Sequence, residues 1–79
     1  MKSKLTKRQK DIMSLFLLGF TNEAIAKELN LSIHTVKSHV RNIYEIYGLS
    51  GLKNRDLRVL AALRYLRNLN NVGSKNEQL

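Results

Sequence analysis

Apolar residues recur along this chain at helical spacing in successive segments, each opened by a hydroxyl or amide side chain and closed by glycine or asparagine. Ile12, Leu15, Phe16 and Gly19, with Met13 beside them, trace a first helix that starts at Thr6. Thr6 and Gln9 have the spacing of a capping box, in which each residue satisfies a free backbone N–H of the other. Gly19 closes the segment because glycine accepts the left-handed conformation that ends a helix. A second helix opens at Thr21 or Asn22, with Glu23 in the turn where the helix dipole favours an anion. It runs through Ala24, Ile25, Ala26 and Leu29, and stops near Asn30.

Ser32 caps a third helix, expected over 33–47. Ile33, Val36, Val40, Ile43 and Tyr47 form one apolar stripe, while His34, Lys37, Ser38, Arg41, Asn42 and Glu45 occupy the other side. Gly48 ends it. After a loop, Asn54 is the expected cap of a fourth helix reaching about Leu69. The fourth helix has two apolar stripes: Val59, Ala62, Leu63, Leu66 and Leu69, assigned to the core, and Leu57, Leu60, Ala61 and Tyr65. The second stripe packs either on the first helix or against another subunit.

These segments, with no proline and four glycines to interrupt them, predict an all-α protein, a four-helix bundle. The partition is a basic N-terminal arm over 1–5, a folded domain over 6–69 and a flexible tail over 70–79. Lys2, Lys4, Lys7 and Lys10 give the start of the chain its basic character, which solvation explains as well as a ligand does.

Charge sharpens the picture. Fourteen Lys and Arg against six acidic residues leave a formal net charge of +8 on 79 residues, a balance suited to a polyanion, nucleic acid foremost. There is no cysteine, so a disulfide framework and a thiolate metal site are both excluded. His34 and His39 are five apart, which does not align two ligands on one helical face, so no metal or other cofactor is expected. No apolar run approaches the ~20 residues of a membrane span. The protein is expected to be cytoplasmic, with no membrane partner. No nucleophile, base and orienting group converge, so an enzyme is not expected.

A short helix, a tight turn over 30–32 and a second helix with a bare polar face make a helix-turn-helix pattern. Its first helix braces across the DNA backbone while its second lays side chains along base edges in the major groove. Those edges offer acceptors and thymine methyls, which call for donors and small residues. Lys37, Ser38 and Arg41 meet that need on adjacent turns. His34 lies on the same face near the helix start, within reach of a base edge.

Leu5-Thr6-Lys7-Arg8, Thr21-Asn22-Glu23-Ala24-Ile25-Ala26 and the run Leu31-Ser32-Ile33-His34-Thr35-Val36-Lys37-Ser38-His39-Val40-Arg41-Asn42-Ile43-Tyr44 resemble the LuxR/GerE-type helix-turn-helix. The Thr-Val-Lys-x-His run stands in its proper place, and the resemblance covers roughly 5–66. It implies a four-helix domain that binds double-stranded DNA as a homodimer and regulates bacterial transcription, with RNA polymerase as a further candidate partner. By position it places Lys37, Ser38 and Arg41 against bases, and makes Thr6, Asn22, Thr35, His39 and Asn42 backbone contacts. It also assigns Leu57, Leu60, Ala61 and Tyr65 to the dimer interface. The chain departs from the family pattern in three ways. Gln9 replaces the usual glutamate, Ile46-Tyr47 replaces Lys-Leu, and the link over 48–55 is longer than usual.

The reading that follows is a standalone, sequence-specific, dimeric transcription regulator. The start at Met1 close before the motif favours a whole small protein, with a fragment of a longer regulator as the alternative. A sigma-factor promoter-reading region is a second reading, which the extended fourth helix disfavours. A protein-interaction module, such as an anti-regulator on a helix-turn-helix scaffold, is the third.

Overall fold

The computed structural model describes residues 4–77, and the side chains of 4–69. Lys2, part of the expected basic arm, and the last two residues of the chain lie outside the described residues. Four helices follow in order: α1 (Lys7–Leu17), α2 (Asn22–Leu29), α3 (Ile33–Ile46) and α4 (Leu57–Glu77). Among the described residues there is no strand, so the all-α expectation holds.

The first three helices share one construction at both ends. At the start, a hydroxyl accepts from a backbone N–H three residues on: Thr6 from Gln9 at 3.1 Å, Thr21 from Ala24 at 3.1 Å, and Ser32 from Thr35 at 3.0 Å. Gln9 closes the capping box on α1, its side-chain oxygen accepting from the Thr6 N–H at 2.9 Å while the residue itself is buried. At the far end, a residue in the left-handed region turns the chain out: Gly19 at φ +86°, Asn30 at φ +59° and Gly48 at φ +72°. In each case the next residue reaches back over the last turn. Phe20 N–H donates to the Leu15 carbonyl at 3.1 Å, Leu31 to Ala26 at 2.8 Å, and Leu49 to Tyr44 at 2.8 Å. These bonds satisfy carbonyls that a helix end otherwise leaves bare. They also swing Phe20, Leu31 and Leu49 inward, so each helix exit returns an apolar side chain to the core.

Ile12, Met13 and Phe16 of α1, Ile25 and Ala26 of α2, and Val36, Val40 and Ile43 of α3 make the centre, with Tyr47 and Leu49 beyond them. The α3 stripe is the expected one. α1 packs against the other three helices, and α3 packs against both α2 and α4. The Tyr47 hydroxyl is buried without a hydrogen bond of standard geometry, with the Asn68 side chain as a polar neighbour. Burial, reinforced by Tyr65, raises its pKa above the usual phenol value and keeps it neutral.

The fourth helix corrects three expectations. Its cap is Asp56, whose carboxylate accepts from the N–H groups of Arg58 at 3.1 Å and Val59 at 3.3 Å. Asn54 lies in the left-handed region at φ +58°, turning the link instead of capping the helix. The backbone stays helical to Glu77, past the expected helix end near Leu69. Most consequential, the two stripes are exchanged. Ala61 and Tyr65 are buried in the chain's own core and Leu57 and Leu60 pack against it. Val59, Leu63, Leu66 and Leu69 are 52%, 57%, 41% and 50% exposed.

The reason lies in what the inner face must do besides being apolar. Ala61, the smallest residue of its stripe, permits close approach of α4 to the bundle. Arg58 and Arg64 flank that stripe and donate to the Phe20 and Tyr47 carbonyls beyond the ends of α1 and α3. Their stems and guanidinium planes cover Phe16 and Tyr47, the latter pair 5.6 Å apart. The bulkier stripe has no such donors. Ala61 and Tyr65 are thus unavailable to a partner subunit, and the expected interface through them is withdrawn.

Tyr65→Ala should lower stability by about 3 kcal/mol, as for other large core side chains. Leu63→Ala, in dilute solution, should change it by less than about 0.5 kcal/mol. Denaturant unfolding followed by circular dichroism checks both; equal losses would contradict this packing.

Candidate nucleic-acid interface

α2 and α3 are joined through Asn30, Leu31 and Ser32 alone. Three constraints fix this joint. Asn30 makes the left-handed turn, Leu31 is drawn toward the core, and Ser32 caps α3 at once. The Ser32 hydroxyl also donates to the Thr35 hydroxyl at 2.9 Å, tying the first turn of α3 together.

Because Val36, Val40 and Ile43 are fully or almost fully buried, the rotation of α3 about its own axis is set. At ~100° per residue, His34, Lys37, Ser38 and Arg41 then fall together on the opposite side. All four are exposed, as are Thr35 and Asn42 at the border of that face. His39 lies further round and is half-buried. No carboxylate occurs between Glu28 and Glu45, so the first three turns of α3 offer donors unopposed by acid. Glu45 is exposed near the helix end.

The remaining candidates are on other helices. Asn22 is the first residue of α2, half-buried, with its side-chain oxygen accepting from Arg58 Nη1 at 3.2 Å. Thr6 is exposed, but its hydroxyl already accepts from Gln9 at the start of α1. Near it, Lys7 and Arg8 stand 3.5 and 3.7 Å from the Asp11 carboxylate. Such exposed pairs contribute little stability, though they do offset part of the basic charge there.

Arg58, expected only to border the apolar stripes of the fourth helix, is a residue the candidate site did not include. Its guanidinium lies 3.8 Å above the Phe16 ring and also donates to the Phe20 carbonyl and to Asn22. The available signal was an arginine interrupting an apolar helix face, but its partners are remote in sequence. Arg58 also lies near Tyr44, whose phenol burial pushes up, Arg58 working against that rise and Asp56 with it. Lys53 and Arg55, in the link before α4, are exposed cations beyond the expected set.

No group of three potential metal ligands occurs among the described residues. No helix there is long and apolar enough to cross a membrane.

A short helix, a three-residue turn and a longer helix with an exposed polar face define a helix-turn-helix domain. Residues 3–54 match the family described as bacterial regulatory proteins, luxR family, and the chain belongs to that family. Among curated relatives, the regulator named HTH-type transcriptional regulator MalT from Vibrio campbellii is 44% identical over 43 residues, which is 54% of this chain and 5% of the relative. The protein of the same name from Vibrio cholerae matches at 44% over the same shares, and that from Klebsiella pneumoniae at 42%. The chain therefore spans about 5% of the length of these relatives. No solved structure matches it significantly.

Ser32→Ala should cost about 1 kcal/mol, concentrated in the first turn of α3. Amide hydrogen exchange should show faster exchange at Thr35 and Val36 with α1 little changed. Uniform acceleration across the chain would contradict a local cap.

Proposed function

We propose that this chain is a sequence-specific DNA-binding transcription regulator that lays the outer face of α3 in the major groove. One observation carries the reading: α3 packs on α2 with a donor-rich face turned outward, free of carboxylates until Glu45 near the helix end. Lys37 and Arg41 are the cations of that face, and an arginine there matches the paired acceptors of guanine. Ser38 is small enough to permit close approach, and His34 reaches the groove from the first turn. Thr35, His39 and Asn42, at the edges, face the sugar-phosphate walls, with Asn22 and Thr6 as further backbone contacts near helix starts. Family membership and the printed role of the MalT relatives as transcriptional regulators support this assignment.

The same reading takes the chain to act as a homodimer, through residues other than those first expected. Val59, Leu63 and Leu66 lie on one exposed face of α4 with Leu69 nearby. A two-fold contact there buries equivalent leucines against each other. Bacterial promoter DNA in the cytoplasm is the implied setting, RNA polymerase the further partner, and no catalytic step is involved. The competing protein-interaction reading makes a different demand, since its binding needs no steep loss with salt.

Arg41→Ala should lose about 1–3 kcal/mol of discrimination at one base-pair position and keep its fold. His39→Ala should weaken binding to about the same degree on every sequence. Quantitative sequencing of bound duplexes separates the two. Unchanged base preference in Arg41→Ala would contradict the placement of α3.

Leu63→Lys should leave a folded monomer with weakened DNA affinity. Sedimentation and circular dichroism test this, and a variant that stays dimeric would exclude this face as the contact.

A further inference from the structure

Arg58 stands on α4, yet its polar contacts lie at the entry to α2, 36 and 38 residues earlier in the chain. One guanidinium nitrogen donates to the Asn22 side-chain oxygen and the other to the Phe20 carbonyl, while the plane stacks on Phe16. Stacking and the carbonyl bond fix where the guanidinium can be. Its chemistry then fixes Asn22. A guanidinium only donates, so the asparagine amide must turn its oxygen toward Arg58 and its NH2 away. Asp56 Oδ1 nearby accepts from two backbone N–H groups in the first turn of α4.

We infer that Arg58 is the positioning residue for Asn22: it sets the Asn22 amide so that the NH2 group, at the start of α2, is offered to a DNA phosphate oxygen. The inference rests on the DNA-binding reading above and adds a residue to it that makes no DNA contact itself. An amide free to rotate presents oxygen to the phosphate as readily as nitrogen, and the oxygen is repelled. Holding the amide removes that wrong state before DNA arrives. The same bond links α2 to the helix bearing the exposed apolar stripe, so the backbone contact is referred to α4 and not to α2 alone.

The test uses the full chain, a mixed-sequence duplex as probe, and fluorescence anisotropy at several salt concentrations. Asn22→Ala should weaken binding roughly tenfold, the scale of one hydrogen bond to a charged group, and Arg58→Met about twofold, because a freed amide is rightly turned about half the time. The double variant should bind no more weakly than Asn22→Ala alone, because Arg58 acts through Asn22. The slope of log affinity against log salt should stay the same in Arg58→Met. Independent, multiplying losses would overturn the inference by making Arg58 a general structural clip. A slope reduced by about one unit would overturn it by making Arg58 a phosphate ligand.

Asn22→Asp supplies a second arm that leaves Arg58 in place. It keeps the acceptor for Arg58 but replaces the outward donor with an oxygen, so affinity should fall at least as far as in Asn22→Ala with the melting temperature held. Should Arg58→Met fail to fold, Arg58→Lys paired with Asn22→Ala carries the cycle, with the same two outcomes. A wild-type chain that does not bind the duplex removes both readings. Wild-type binding with Asn22→Ala undiminished removes only this one.

Discussion

The buried stripe of α3 is the constraint on which the rest depends. Val36, Val40 and Ile43 are held against α1 and α2, so the helix cannot rotate without bringing polar side chains into the core. Burying an unpaired cation such as Lys37 or Arg41 costs several kcal/mol, which far exceeds any single surface contact. The outer face is therefore a consequence of the inner one. Hydroxyl caps and left-handed exits bound α2 and α3 and keep their joint tight, and the apolar residue after each exit ties the chain to the same core.

Much of this arrangement is legible in the sequence. Thr6, Thr21 and Ser32 announce helix starts, and Gly19, Asn30 and Gly48 announce ends, because capping and left-handed turns depend on a few local residue types. The α3 stripe is legible for a similar reason: its two faces differ sharply in polarity. α4 is not. Both its sides carry large apolar residues, and periodicity cannot say which one meets the core. Each stripe carries one alanine, so the decision rests on Arg58 and Arg64, whose heads find carbonyls on other elements. Those carbonyls are set by the fold and are invisible in the local pattern. Likewise Asn54 and Asp56 both resemble caps, and only the backbone conformation separates them.

The candidate site divides along the same line. His34, Lys37, Ser38 and Arg41 come together because one helix presents them, and a single helix can be read from spacing. Asn22 stands on another helix, and its side-chain oxygen accepts from a residue 36 positions away. The exposed stripe of α4 is a third case, since its bulk is visible in the sequence but its outward direction is not. Helix-turn-helix geometry, the proposed backbone contact and the proposed subunit contact thus draw on residues at increasing distances along the chain.

The central claim is that the outer face of α3 reads bases in duplex DNA. Selection of bound sequences from a random duplex library, repeated as salt is raised, tests it most directly. The account predicts enrichment of one motif arranged as an inverted repeat, with affinity falling steeply as salt rises. Binding that enriches no sequence, or that is indifferent to salt, would contradict it.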